Sequence, residues 1–145
     1  MTKLYDRDFL AWTQDQADAL RRRSSNELDW ENLLEEVEGL GKQQRSELRN
    51  HLIVLLVHLL KWRVQPERRG RSWELTIREQ RKAAQRVLLE NPSLKPDLEV
   101  ILAEAYETAV LRAERETRLA ASLFPQAIPF GWRDVLEGDL PQDDG

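Results

Sequence analysis

Cationic side chains concentrate in residues 61–86, on both sides of a Pro and a Gly. This segment holds nine Lys or Arg against three Glu. The whole chain has a formal charge of −4, so removing this local excess of six leaves −10 for the remaining residues. Guanidinium groups bind carboxylates and phosphates through paired hydrogen bonds, and Trp rings stack on bases or on guanidinium planes. The segment therefore predicts a binding site for an anionic partner, either an acidic protein or a nucleic acid.

Eight residues form the predicted binding site, and a purely structural interpretation of the same segment stays open. The eight are Lys61, Gln65, Arg68, Arg69, Arg71, Trp73, Arg78 and Arg81. In the structural interpretation, Trp62 and Trp73 wedge two helices together at a corner made by Pro66 and Gly70. The nearby arginines are then solvated or paired with Glu31, Glu35 and Glu38. Both interpretations can hold at once, because a rigid corner also exposes its arginines.

A second set of residues could support catalysis. Positions 47, 51, 54, 58, 61 and 65 recur on one helical face and are mostly polar, whereas the other faces are apolar. We consider an enzyme acting on a phosphate-bearing substrate, with Glu35 or Glu38 as the base and His58 as an acid or base. Lys61 or Arg81 would stabilise the developing charge. The alternative is a core histidine with an internal hydrogen-bond partner and a row of solvated glutamates.

Metal and nucleotide sites are not indicated. His51 and His58 are seven residues apart, roughly 10.5 Å along a helix, so they cannot share one ion. Helical-bundle metal sites repeat a Glu-x-x-His motif, which this chain lacks. "GRSWELT" does not have the Gly spacing and Lys-Ser/Thr pair of a phosphate-binding loop. We therefore predict no metal and no cofactor.

The element that must position these residues is a central apolar helix over 42–64. Its second half is apolar almost all round, which is typical of a helix surrounded by others. We expect a helix before it to end or bend at Gly39 and Gly41, because glycine weakens helices. The other helices are expected to begin at capping residues, which are Asp6, Asp29, Ser72 and Ser93. Together these features predict an all-α bundle of about five main helices, followed by a short irregular C-terminal segment.

Length and composition limit the remaining possibilities. The 145 residues suit a single domain over 1–145, with 138–145 as a flexible tail. The longest apolar run, "LIVLLVHLL", has nine residues, whereas a membrane-spanning helix needs ~20. The N-terminal "MTKLYDRDF" has no apolar signal core, and the chain has no cysteine. We therefore expect a cytoplasmic protein without a membrane partner.

Five segments, in this order, resemble the family known as domain of unknown function 29. They are "YDRDFLAWTQDQADALR", "LDWENLLEEVEGLG", "LLVHLLKWRVQPERRGRSWELTIREQR", "NPSLKPDL" and "AYETAVLRAERETRL" with a later "FP". The family's recurrent polar positions match Glu35, Glu36, Glu38, His58, Lys61, Gln65, Pro66, Ser72, Trp73, Gln80 and Arg81. The resemblance implies a small, all-helical bacterial protein of a kind common in cyanobacteria. It implies no activity.

These observations favour a non-catalytic interaction protein over an enzyme. The basic segment 61–86 would bind the anionic partner, and no residue pattern requires catalysis. A third hypothesis is a homodimer or larger scaffold, since an amphipathic helix can bury its apolar stripe against a copy of itself. The sequence leaves the partner and the oligomeric state open.

Overall fold

A computed structural model of the protein describes residues 3–140. These residues form helices and connecting turns and contain no β-strand, which confirms the all-α prediction. The α-helices of this range are α1 (Leu4–Arg7), α2 (Phe9–Arg21), α3 (Trp30–Val64), α4 (Arg71–Glu90), α5 (Leu98–Thr117) and α6 (Trp132–Leu136). Short 3-10 helices cover Ser25–Glu27, Pro66–Arg68, Pro92–Asp97 and Ala121–Leu123.

The longest element, α3, corrects the prediction that a helix ends before residue 42. It runs without interruption for 35 residues, and both Gly39 and Gly41 lie inside it. Glycine keeps its amide donor, and each one costs only about 1 kcal/mol relative to alanine in a helix interior. No proline occurs between Trp30 and Val64, so the hydrogen-bond ladder continues until Pro66. The two predicted helices are therefore one.

Two of the four predicted helix caps lie near the N-terminus, and one of them is confirmed whereas the other is replaced. Asp29 directly precedes α3, and its Oδ1 accepts the Asn32 backbone N–H at 3.5 Å, so this predicted cap is confirmed. Asp6, the other predicted cap, lies inside α1 and does not cap α2. Asp8 has that role, since its Oδ1 accepts the Ala11 N–H at 3.1 Å.

The predicted caps Ser72 and Ser93 are wrong. Helix α4 begins one residue earlier, at Arg71, after an extended Gly70, so Ser72 lies in its first turn. Ser93 falls within a 3-10 helix, and α5 begins only at Leu98. Pro96 favours this delay, because its ring sterically disfavours the α-helical conformation of the preceding residue, Lys95.

The chain forms two compact units, Met1–Gln43 and Gln44–Gly145. We call them the N-terminal unit and the C-terminal unit. Residues 30–43 of α3 belong to the first and residues 44–64 to the second. Whether they unfold together is a separate question, so the single domain over 1–145 stays a prediction.

Apolar packing holds the C-terminal unit together, with the second half of α3 at its centre. Nine side chains of α3 are buried there: Leu48, Leu52, Ile53, Leu55, Leu56, Val57, Leu59, Leu60 and Trp62. Helices α4, α5 and α6 contribute further buried side chains to the same cluster, including Ile77, Ala84, Leu88, Ile101, Tyr106, Val135 and Leu136. The prediction of a central apolar helix is confirmed.

The N-terminal unit depends more on polar contacts and aromatic rings. Gln16 is buried, and its Oε1 accepts the Asp29 N–H at 2.7 Å. The Trp12 Nε1–H donates to Asp29 Oδ2 at 3.1 Å, so Asp29 joins α2 to the start of α3. Tyr5 and Phe9 pack against Trp12, with ring centroids 4.7 and 5.6 Å from it.

The C-terminal segment contributes to packing as far as the structure describes it. Leu140 is half-buried and packs against the core of the C-terminal unit. Residues 141–145 of the predicted flexible tail lie outside the described residues. None of the described helices combines the length and the apolar character needed to cross a membrane.

Candidate anion-binding surface

The predicted binding residues fall into two groups: some make contacts within the protein, and others face the solvent. Lys61 belongs to the first group. It lies in the last turn of α3, and its side chain is 14% exposed. Its Nζ is 3.0 Å from Glu116 Oε2 on α5 and 5.8 Å from the centre of the Trp73 ring. The ammonium charge is therefore compensated by Glu116, and it covers part of the half-buried Trp73 ring.

Arg69 also has an internal role, at the corner between α3 and α4. Its Nε–H donates to the Trp62 carbonyl at 2.7 Å, and its guanidinium carbon lies 5.4 Å from the centre of the Trp62 ring. Carbonyl groups in the last turn of a helix have no partner in that helix, so Arg69 supplies one at the end of α3. The Trp62 ring is 5% exposed and is therefore closed to stacking by another molecule.

Arg81 holds the last α-helix against α4. Its Nε–H donates to the Val135 carbonyl at 3.0 Å, and Nη2 donates to the Asp134 carbonyl at 3.1 Å. The Gln85 amide donates to the next carbonyl, that of Leu136, at 2.9 Å. Burial lowers the pKa of the Arg81 guanidinium from its ordinary value. These contacts cap the C-terminal end of α6 and employ two of the five N–H donors of Arg81.

The other group of predicted residues faces the solvent. Arg68, Arg71 and Arg78 are exposed, and none has a side-chain hydrogen bond or ion pair among the described residues. Gln65 is half-buried, and its backbone carbonyl stabilises the turn by accepting the Arg68 backbone N–H at 2.9 Å. Charges without internal partners are the ones free to bind another molecule.

Four exposed cations lie on one face of α4 and form what we call the basic ridge. They are Arg71, Arg78, Lys82 and Arg86. Their spacing of i, i+7, i+11 and i+15 keeps them within an arc of about 80° and spreads them over about 22 Å of the helix. Leu75 and Leu89 are exposed on this face, and Glu74 and Glu79 lie at its two flanks. The ridge is thus a linear row of cations with apolar side chains on the same face and acidic side chains at its flanks.

The sequence analysis missed Lys82 and Arg86 as binding residues. Both were counted in the charge of segment 61–86, but neither was assigned to the site. The signal that could have found them is helical spacing: each follows the previous cation of the ridge by four residues. The structure thereby extends the exposed cations from Arg68 at the corner along the solvent face of α4.

The polar face of α3 is occupied by internal hydrogen bonds. His58 is half-buried, and its Nδ1–H donates to the Val54 carbonyl at 2.9 Å, within its own helix. His51 Nδ1–H donates to Gln80 Oε1 at 2.8 Å, and its Nε2 lies 3.8 Å from Glu47 Oε1. Both imidazoles therefore have partners that orient them, as a buried polar group requires.

The five residues considered for catalysis do not acquire a common arrangement from these contacts. Glu35 and Glu38 are exposed in the N-terminal unit, whereas His58, Lys61 and Arg81 belong to the C-terminal unit. Lys61 is paired with Glu116, and Arg81 is bound to α6 carbonyls. Among the described residues, no three His, Asp or Glu side chains are grouped so that they could hold a metal ion.

Fold and surface together define a small all-α protein that presents a row of exposed cations on one helix. The chain belongs to the family described as "Domain of unknown function DUF29", whose sequence model matches residues 4–140. This match covers nearly the whole chain and confirms the resemblance in the five segments. No curated protein and no solved structure matches the chain.

Proposed function

We propose that this protein is a non-catalytic interaction protein whose basic ridge binds an acidic surface of a partner protein. The observation that supports this proposal is the row of four exposed cations on α4, none of which has an internal partner among the described residues. Arg68 adds a further exposed charge just before α4. Complementary charge steers encounter and selects partners, and carboxylates suit guanidinium groups especially well.

A protein partner is favoured over a nucleic acid by the positions of the two aromatic rings. Single-stranded nucleic acids bind to exposed rings that stack on their bases. Trp62 is buried, and Trp73 is half-buried beneath Lys61. The overall charge of −4 also differs from the strongly basic character of most nucleic-acid-binding domains. An acidic protein surface requires only the charges that the ridge exposes.

The test compares two double charge reversals that change the net charge equally. Arg78→Glu with Lys82→Glu alters the ridge, and Arg112→Glu with Arg115→Glu alters two exposed arginines of α5. Binding of a fluorescent, Glu-rich helical peptide is measured by anisotropy at several salt concentrations. We expect the ridge variant to lose about tenfold or more in affinity, equivalent to at least one lost charge-assisted contact, and the α5 variant to stay within about twofold.

The same measurement with a mixed-sequence DNA duplex distinguishes the partner classes. Phosphate contacts make the affinity fall steeply with salt, by nearly one unit of logarithmic slope per neutralised phosphate. Strong duplex binding through the ridge, without peptide binding, would replace the acidic protein by a nucleic acid. If the two double variants behave alike with both probes, the ridge is not a binding surface.

We also propose that the protein works in the bacterial cytoplasm. Support comes from the absence of cysteine, which suits a reducing compartment where disulfides are not used. Fractionation of cells that produce the chain with a small epitope tag tests this location. Recovery in the periplasmic or membrane fraction would contradict it.

A further inference from the structure

The N-terminal unit leaves an unusual amount of apolar surface exposed. Seven large apolar side chains on α2 and the first part of α3 are at least half exposed: Phe9, Leu10, Leu20, Trp30, Leu34, Val37 and Leu40. Soluble proteins rarely expose contiguous apolar patches of more than a few hundred Å², and larger ones mark interaction sites. This surface is separate from the basic ridge of α4, and the proposed function does not employ it.

Four of these side chains line a groove between α2 and α3. The groove has a volume of about 320 Å³, and its walls include Phe9 and Leu20 from α2 and Leu33, Val37 and Leu40 from α3. The buried Trp12 ring forms part of its floor. Trp30 and Leu34 extend the apolar stripe along α3 at helical spacing. Grooves of this kind accept the apolar face of another helix.

An acidic row runs along α3 outside the groove. Glu31, Glu35 and Glu38 recur at i, i+4 and i+7, on the far side of the helix from the groove-lining residues in helical projection. Among the described lining residues, the acidic one is Glu36. All three are exposed, and none forms an ion pair among the described residues. Residues 1–43 hold ten Asp or Glu against six Lys or Arg, so this unit carries the whole net charge of −4. The groove is therefore mainly apolar and lies in a unit of negative net charge.

We propose that this groove binds an amphipathic helix of a partner protein that carries an apolar stripe flanked by Lys and Arg. The apolar stripe would cover Val37 and its neighbours, and the negative net charge of the unit would attract the cations. The charges disfavour a second copy as the occupant, because two N-terminal units would bring two net charges of −4 together at one interface. This inference is independent of the basic ridge and of its acidic partner.

The test uses a synthetic 18-residue peptide with Leu at the helical positions i, i+3, i+4 and i+7 of each repeat and Lys elsewhere. Two variants place the same change on exposed valines of different helices: Val37→Asp in the groove and Val100→Asp on α5, which are 63% and 56% exposed in the native protein. We expect Val37→Asp to weaken peptide binding about tenfold or more, since it removes apolar contact and adds an uncompensated polar group. Val100→Asp should leave the affinity within about twofold.

A charge-reversal arm tests the acidic row separately. In the triple variant Glu31→Lys, Glu35→Lys and Glu38→Lys, we expect a preference for a second peptide in which Glu replaces every Lys. Circular dichroism checks that each variant keeps its helical content. Failure of the native protein to bind the Lys peptide, or equal binding by the Val37→Asp and Val100→Asp variants, would overturn the inference.

Light scattering at the same protein concentration tests the alternative that a second copy of the protein fills the groove. We expect a monomer of 17.0 kDa for the native protein and for both valine variants. A native dimer that Val37→Asp alone dissociates would show that a second copy fills the groove, and this result would overturn the inference of a basic partner helix. Neither result depends on the Arg78/Lys82 measurement, so the two proposals can fail separately.

Discussion

The two halves of α3 both contain leucine but place it in different environments. In residues 30–43, Leu34 is 60% exposed and Leu40 is 61% exposed, whereas Leu55 and Leu56 in residues 44–64 are fully buried. Both halves belong to one uninterrupted helix, so local conformation does not explain the difference. The difference comes from neighbours: α4, α5 and α6 pack in one core with the second half, and α2 covers only part of the first.

A similar contrast separates structural cations from solvent-exposed cations in the turn after α3 and in α4. Arg69 and Arg81 bind backbone carbonyls and stabilise the fold, whereas Arg71 and Arg78 keep their charges in the solvent. Both kinds lie within a single cationic segment of the sequence. The contrast shows that a local excess of charge combines arginines with structural contacts and solvent-exposed arginines, and that only their contacts separate them.

The largest effect is expected from Leu55→Ala compared with Leu34→Ala. Leu55 is fully buried in the core of the C-terminal unit, so truncation should lower the free energy of unfolding by about 2–5 kcal/mol through lost burial and a cavity. Leu34 is mostly exposed, so its truncation should cost less than about 0.5 kcal/mol. Urea unfolding followed by circular dichroism measures both. Equal losses would show that the first half of α3 is covered and would remove the contrast between the halves.

Arg81→Ala compared with Arg78→Ala sharpens the division between structural and free cations. Arg81 donates two charge-assisted hydrogen bonds to carbonyls of α6, so its removal should cost about 1.5–3 kcal/mol. Limited proteolysis should also cut near residues 132–140 sooner, because α6 loses its anchor. Arg78→Ala should change stability by less than about 0.5 kcal/mol. An unchanged proteolysis rate in Arg81→Ala would refute the anchoring role.

Asp29→Ala tests whether polar contacts hold the N-terminal unit. The carboxylate caps α3 and accepts the Trp12 indole N–H, and loss of such a cap costs about 0.5–2 kcal/mol. Amide hydrogen exchange in residues 30–36 should become faster. The matched control is Asp15→Ala, since Asp15 is exposed on α2 and has no side-chain partner among the described residues. Similar exchange rates in the two variants would contradict the capping role.

The smallest effect is expected from alkaline pH at Tyr5. The Tyr5 hydroxyl donates a hydrogen bond to the Glu36 carboxylate, which raises the pKa of Tyr5 from 10.0 to about 12. Because the folded-state pKa is the higher one, this contribution to stability is fully present below about pH 10 and is lost as the pH rises towards 12. Tyr5→Phe should remove this part of the pH dependence, measured as the difference in urea midpoints between about pH 9 and about pH 11.5. Identical alkaline profiles of the native protein and the variant would exclude the contact with Glu36.

The helical character and the identity of the central helix could be predicted from the sequence. The run from Leu48 to Leu60 is apolar around the whole helix, and only the interior of a fold accommodates such a surface. The cap at Asp29 was also predictable from the local sequence, because its carboxylate reaches the free amides of the next turn. The length of α3 was not, since glycine is a weak stop signal that a strong hydrogen-bond ladder overrides.

Only the tertiary structure decided which cations remain available and which apolar face stays uncovered. Arg81 finds its carbonyl partners 53 and 54 residues further along the chain, and Lys61 finds Glu116 on another helix. Spacing within one helix shows which side chains share a face, but it contains no information about what packs against that face. The sequence by itself therefore determined the helices and their apolar stripes, and long-range packing determined the basic ridge and the groove.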